Sequence, residues 1–322
     1  MRENIAEFGQ LHPEINGFSV SIGLSVYPED AIDSQSLVLH ADAALHKAKV
    51  DSYHEGICFY SEEMESKSLS RRAHYAQIKN AISHQRVIAL YQPMVNPFTG
   101  DVEAVEALMR IRDEAGNTIP PVEFISLAEE TRLIIPLGEQ MIHLALAQLK
   151  EWHENELSIR LCLNISPVQF LDPHFVPFLL SAIEHYGVKP SMIELEVTES
   201  LMLQNLQQII RDMMQFRQLG ISISIDDFGT GYSCLSYLKE LPVDVLKIDK
   251  AFINQISTEN PDEALVQTIA QLAIGMSLQS VAEGVESRFQ AQRLKDIGVS
   301  LLQGYYFSRP VPAKDIQKNY PL

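Results

Sequence analysis

The sequence predicts an α/β protein: a (β/α)8, TIM-like barrel preceded by a small β-α-β segment. Three observations predict it. From Val87 onward, short apolar runs of strand character alternate with amphipathic helical stretches, the pattern of a parallel sheet. The alternation lasts for about 240 residues, which suits a closed barrel of this kind. Polar residues recur at the downstream ends of the runs, where barrel enzymes carry their reactive groups. A doubly wound open sheet is the alternative, but its Gly-rich nucleotide fingerprint is not found.

Taken in order, residues 18–60 read as a strand (Phe18 to Val26), a helix (Ser34 to Lys49) and a strand (Gly56 to Tyr60). One such unit is too small to fold alone and belongs to a domain. Residues 61–85 are charged, with Leu69, Ala73, Ala76 and Ile78 at helical spacing, and predict a connecting helix. The boundaries drawn are 1–60, 61–80 and 81–322. The barrel strands are expected at Val87–Gln92, Val102–Arg110, Arg160–Asn164, Ile193–Thr198, Ile221–Asp226, Val243–Asp249, Gln279–Glu283 and Leu301–Tyr305. Leu137–Trp152, Leu206–Leu219 and Glu263–Met276 are among the helices between them.

Composition narrows the function. With 322 residues and 46% hydrophobic content, the chain can bury a real core, and its 16 prolines and 15 glycines are too scattered for extensive disorder. No run approaches the roughly 18–20 apolar residues of a bilayer span, and the start of the chain has no apolar stretch of signal-peptide type. No membrane contact is expected within this chain. A net charge of −17 argues against DNA or RNA as a partner. A small anionic ligand stays open, provided bound cations or a local base offset the field. Cys58, Cys162 and Cys234 form no C-x-x-C pattern, so neither a disulfide framework nor a zinc knuckle is expected, and a reducing cytoplasm is the natural setting.

Side chains alternate along a strand, so each run sorts into two faces. Apolar parity assigns Ile193, Leu195 and Val197, or Ile221, Ile223 and Ile225, to an outer helical layer. The opposite parity projects Glu106, Asn164, Glu196, Asp226, Lys247 and Asp249 into the barrel mouth, and Glu283 joins them. A lone polar residue at a strand end is usually a turn former. Six strands ending in an acid, amide or lysine are not explained that way. Crowded carboxylates repel unless cations neutralise them. All ten histidines precede Tyr186 and none ends one of these strands, so the ligands would be oxygen, suiting Mg²⁺ or Mn²⁺ rather than zinc. The adjacent pair Asp226 and Asp227 suits a site for two ions, a common device for phosphate-ester hydrolysis. Lys247 among these acids is either an ion pair with Asp249 or a group that orients water or holds phosphate. Gly229-Thr230-Gly231 begins like a dinucleotide loop but ends in Cys234 and follows two aspartates, and no P-loop occurs.

The motifs resemble the EAL family. Glu106-Ala107-Leu108 with Arg110 matches its signature. Tyr91-Gln92-Pro93, Asn164-Ile165-Ser166, Glu196-Val197-Thr198-Glu199, Asp226-Asp227-Phe228-Gly229-Thr230-Gly231, Lys247-Ile248-Asp249, Glu283-Gly284-Val285-Glu286 and Gln303-Gly304-Tyr305 stand around it in the family's order, over about residues 68–315. The resemblance implies a modified barrel whose first strand runs antiparallel. It implies a phosphodiesterase that opens cyclic di-GMP to linear pGpG by in-line attack of an activated water, uses two Mg²⁺ or Mn²⁺ ions and is inhibited by Ca²⁺. By the same resemblance Glu106, Asn164, Glu196 and Asp226 hold one metal, and Asp226 with Asp227 the second. Glu283 and Lys247 position or deprotonate the water. Gln92, Leu108, Arg110 and Asp249 meet substrate, as does Gln303, which also bonds a water beside the metal. Glu199 and Glu286 anchor the loop that begins at Asp227. Ile111 stands where the family often has Trp.

Residues 18–49 resemble the second half of a GGDEF domain, through Phe18–Leu24, Tyr27-Pro28 and Ala41–Lys49. The GG[DE]EF turn is absent, and Ser52-Tyr53-His54 replaces the usual motif after the helix, so cyclase activity is not expected. The chain reads as a fragment of a longer GGDEF–EAL protein, whose upstream domains would carry any membrane anchor. A homodimer through the barrel is expected, with the Asp227–Tyr232 loop linking interface to metals. The competing classes are an inactive cyclic-di-GMP receptor and a scaffold that binds no nucleotide.

Overall fold

The structure is a computed structural model that describes residues 20–50, 56–203, 206–229, 238–257 and 263–319. It divides into two compact units, Met1–Ala76 and Gln77–Leu322. In the first, β1 (Ile22–Leu24), α1 (Ser34–Val50) and β2 (Ile57–Phe59) form a β-α-β unit with the strands parallel, Ile22 opposite Ile57. Its core is small: Ala44, Ala48, Cys58 and Met64. Helix α2 (Glu62–Ser83) crosses the boundary, and Ile78 and Ala81 near its end belong to the core of the second unit.

The second unit opens with a long hairpin, β3 (Val87–Val95) against β4 (Val102–Arg112), to which β5 (Thr118–Ile119) adds a short edge. Helices α3 (Pro121–Glu130) and α4 (Ile134–Glu154) follow. Then come β6 (Arg160–Ile165), α5 (Pro167–Phe170), α6 (Phe175–Tyr186), β7 (Ile193–Thr198), α7 (Leu206–Gln218), β8 (Ser222–Phe228) and β9 (Val245–Ile248). The chain continues through α8 (Lys250–Ile253), α9 (Ala264–Gly275), β10 (Gln279–Ala282), α10 (Arg288–Ile297), β11 (Leu301–Gln303) and α11 (Ala313–Asn319).

The strands run in the order β3-β11-β10-β9-β8-β7-β6-β4, and β3 pairs with β4 to close the cylinder. Strand β3 is antiparallel to both neighbours, and the seven others run parallel. This is the barrel the sequence predicts, with its first strand reversed.

Alternation gives the barrel two cores. Outward residues such as Leu161, Leu163, Leu195, Val197, Ile223, Ile225, Leu246 and Ile248 pack with the helices, including Leu146, Leu149 and Trp152 of α4. Ile111 is fully buried in this outer core, so the residue standing for the family's Trp is a packing group. Inside, Met94, Ala104, Cys162, Val245, Val281 and Leu301 form a separate apolar plug.

Short polar signals end the strands and start the helices. Ser166 caps α5, accepting from Val168 N–H, with Pro167 opening the helix and Gln169 completing a capping box. Asp249 caps α8 through Ala251 N–H at 2.7 Å. Ser287 and Gln290 form a second capping box at α10. At Gly304 the chain crosses Val285 so closely that a Cβ would overlap the Val285 backbone N and O. That approach carries the Val285 N–H to Gln303 C=O bond of 3.0 Å and joins the ends of β10 and β11.

Candidate active site

Above the apolar plug, the inward side chains change to acids, amides and one lysine. Lys247 of β9 lies at the centre, 1% exposed. Its Nζ is 2.5 Å from Glu283, 2.8 Å from Glu196, 3.3 Å from Asp226 and 3.8 Å from Glu106. Glu106 accepts from Asn164 Nδ2 at 2.5 Å and from Gln303 Nε2 at 2.6 Å. Gln303 Nε2 also meets Gln92 Oε1 at 3.2 Å, and Gln92 Nε2 donates to the Ser308 carbonyl at 3.0 Å. Seven strands and the residue after β10 thus converge on one point.

Asp227 reaches the group by a different route. Between Ile225 and Phe228 the β8–β9 register slips by one residue, so Phe228, not Asp227, faces Ile248. This is a β-bulge, with Asp227 left-handed at φ 55. Aspartate tolerates that region better than most residues. The bulge turns two consecutive aspartates towards one place: Asp226, Asp227 and Glu283 each offer an oxygen, all within 4.8 Å of one another.

Charge crowding sets the protonation. Burial alone would lower the Lys247 ammonium, but Asp226, Glu106, Glu196 and Glu283 outweigh it and hold the pKa well above the usual lysine range. Burial would likewise raise Glu106, yet Lys247 and the amides of Gln303 and Asn164 carry it below its ordinary value. Glu196 is pushed well up by burial and by Glu106. Burial, against the pull of Lys247, raises Glu283 to about 8. Asp227 rises to about 6 through burial and its neighbour Asp226.

Five carboxylates around one ammonium leave a deficit of positive charge, and all the donors are oxygen. The Oε1 atoms of Glu196 and Gln303 are buried without a hydrogen-bond partner. Both features fit hard divalent cations such as Mg²⁺ or Mn²⁺.

A cleft of about 590 Å³ opens beside the cluster. Glu106, Asn164, Glu196, Asp227, Glu199, Leu108 and half-buried Arg110 line it, and Pro121, Ile125, Ile134 and Met141 supply an apolar wall. The wall could not be read from the sequence, where those residues look like ordinary helix core. Nor could the Ser166 Oγ to Glu129 Oε1 bond of 2.6 Å, which joins β6 to α3 at the cleft edge.

One of the two sequence readings of Lys247 falls away. Lys247 does not pair with Asp249; its partners are the four carboxylates above, because Asp249 lies beyond the end of β9 and turns to cap α8. Glu286 is exposed, and its N–H is taken by Gln290 Oε1 at 2.8 Å. Residues 230–232 of the Asp227–Tyr232 loop, which Glu199 and Glu286 were expected to anchor, lie outside the described residues.

The EAL domain family matches residues 76–310. The chain belongs to the EAL-domain family. Among curated relatives, the signaling protein YkoW of Bacillus subtilis is 37% identical over 93% of this chain and 37% of its own length. The bifunctional diguanylate cyclase/cyclic di-GMP phosphodiesterase MucR of Pseudomonas aeruginosa is 36% identical over 92% and 44%. The cyclic di-GMP phosphodiesterase PdeR of Escherichia coli is 33% identical over 94% and 45%. The chain therefore spans less than half the length of these curated relatives, and the likeness runs beyond residues 76–310. Among solved EAL structures, the MucR phosphodiesterase in complex with c-di-GMP superposes with a TM-score of 0.71 at 35% identity, covering 76% of this chain and 99% of that one. The EAL domain of Mycobacterium smegmatis DcpA gives 0.62 at 34% identity, covering 73% and 97%.

Proposed function

We propose that this EAL domain hydrolyses one phosphodiester of cyclic di-GMP to give linear pGpG. The observation that carries the reading is buried Lys247 paired with half-buried Glu283, set in a ring of oxygen ligands at the mouth of the barrel, of which Glu106, Asn164, Glu196 and Asp227 line the cleft. Relatives named as cyclic di-GMP phosphodiesterases, and a structural neighbour in complex with c-di-GMP, support the substrate.

Glu106, Asn164, Glu196 and Asp226 would hold one divalent cation, and Asp226 with Asp227 a second. The cations supply positive charge against the phosphate oxygens and acidify water held beside them. Arg110, half-buried at the cleft edge, meets phosphate, while Leu108 and Asp249 border the nucleotide. Gln303, fixed by Glu106 and Gln92, keeps its Oε1 as an acceptor for water. Glu283 takes the proton of the attacking water, and Lys247 Nζ holds that carboxylate in place. Glu199 supports the start of the loop after Asp227. Pairing of two barrels, coupled to the metals through that loop, belongs to the same proposal; equal specific activity of a forced monomer would remove the coupling.

Incubation with cyclic di-GMP and Mg²⁺, followed by nucleotide chromatography, tests the function. Wild type should release pGpG, and Ca²⁺ in place of Mg²⁺ should not support it. Glu283→Gln should lower the rate by about 10²–10⁴-fold, and Glu106→Ala should also weaken metal binding. Tight nucleotide binding without pGpG from wild type would defeat the reading.

A further inference from the structure

The apolar wall of the cleft carries one acid. Pro121, Ile125 and Glu129 follow one another at four-residue spacing along α3 and all line the cleft, while Phe124, Leu127 and Ala128 of the same helix are buried in the core. The stripe that faces the cleft therefore ends in a carboxylate. Ile134 and Met141 of α4 complete the wall around it.

Helix stability does not explain a charge there. Glu129 stands in the last turn of α3, where the helix dipole disfavours an anion. Among the described residues no lysine or arginine pairs with it. Arg110, which lines the same cleft, sends its NH1 to the Met109 carbonyl at 2.8 Å. The half-buried side chain of Glu129 is nonetheless fixed, because Ser166 Oγ donates to its Oε1 at 2.6 Å. That bond leaves Oε2 and the second lone pair of Oε1 as acceptors.

A carboxylate so placed selects among the parts of a nucleotide. It repels phosphate and accepts from N–H. Guanine offers two adjacent donors, N1–H and the 2-amino group, which match the two oxygens of one carboxylate, and its flat face suits an apolar wall. Adenine presents a bare N1 where guanine has N1–H, so lone pair would meet lone pair and an acceptor would go unpaired.

We propose that Glu129 is the base-reading residue of the cleft: its carboxylate takes the N1–H and 2-amino donors of one guanine, Ser166 holds it in place, and the pair thereby separates guanine from adenine nucleotides. The assignment rests on the proposed function only in that a cyclic dinucleotide must enter the cleft, and not on its hydrolysis.

The test is calorimetry of the full chain with cyclic di-GMP and with cyclic di-AMP, in Ca²⁺ so that neither is consumed. Wild type should prefer cyclic di-GMP by at least about 10³-fold. Glu129→Gln keeps the size and an acceptor for Ser166, so it should melt as wild type does while the preference falls to within about tenfold. Ser166→Ala removes the support but spares the reader, and should keep the preference. An undiminished preference in Glu129→Gln would overturn the proposal. So would an equal loss for both nucleotides in Glu129→Gln and Ser166→Ala alike, the mark of a bond that only ties α3 to β6. A wild type with the Glu129-dependent preference that releases no pGpG in Mg²⁺ would count against hydrolysis alone. Release of pGpG with an unchanged preference in Glu129→Gln would count against base reading alone, and a wild type that binds neither nucleotide would remove both.

Discussion

Lys247 is the residue on which the cluster depends. Its ammonium stands in for cations among four carboxylates, so removing it should destabilise the metal-free protein more than the metal-bound one. Lys247→Ala is expected to lose about 3–5 kcal/mol in EDTA, the cost of stripping one partner from a buried ion pair. Excess Mg²⁺ should return part of the loss, read as a rise in Tm. Protonation gives a second check. Glu283 titrates near 8 and Asp227 near 6 in the metal-free site. At pH 7 Glu283 is mostly protonated, and a cation favours the carboxylate, so metal uptake should expel protons. Above both values these two groups have little left to expel, so their share of the release should fade by pH 9, leaving what Glu196, pushed well up, still holds. Calorimetry in buffers of different ionisation enthalpy measures it; a release that does not change between pH 7 and 9 would contradict the assignment. The sequence showed Lys247 to be inward and in acidic company, and of its two readings the ion pair with Asp249 is the one that falls away. Asp249 is near along the chain, while Glu283 and Glu196 come from other strands, and lateral distance across a barrel is not written in local spacing.

The β8 bulge is the element that would fit this site to the two cations proposed for it. A regular strand sends consecutive side chains to opposite faces, so alternation alone would have turned Asp227 away from Asp226. One extra residue and a left-handed backbone at φ 55 bring it back. Asp227→Asn should keep the bulge, because both residues tolerate that conformation, whereas Asp227→Val should add a strain of about 1–2 kcal/mol. Both should lose hydrolysis, but only the valine variant should show a lower Tm. Equal melting of the two would mean that the bulge does not constrain residue 227. The inward residues of β4, β6, β7 and β9 were legible because regular strands make alternation a reliable guide. The bulge was not, since nothing in Ile225-Asp226-Asp227-Phe228 marks the extra residue. The apolar cleft wall on α3 and α4 was hidden for a related reason: Ile125, Ile134 and Met141 carry the same helical spacing whether they face a core or a ligand.

At the scale of the whole molecule, the reversed first strand decides when the site can exist. Gln92 on β3 is bonded to Gln303 and to the carbonyl of Ser308, 216 residues further along the chain, and Val311 exchanges backbone bonds of 2.8 and 2.9 Å with Tyr91. The cylinder is thus locked by its two most distant segments, and contacts of such long range form late. A chain ending at Ser300 should keep helical content yet bind no Mn²⁺ at the Glu106 position, because Gln303 is missing and β3 has lost the edge opposite β4. Native-like metal affinity in that fragment would refute the dependence. During synthesis the ribosome must therefore release the chain as far as Val311 before the cylinder can close. A ribosome stalled before that point would therefore hold every acid of the cluster on an open sheet, with none of them yet gathered round Lys247.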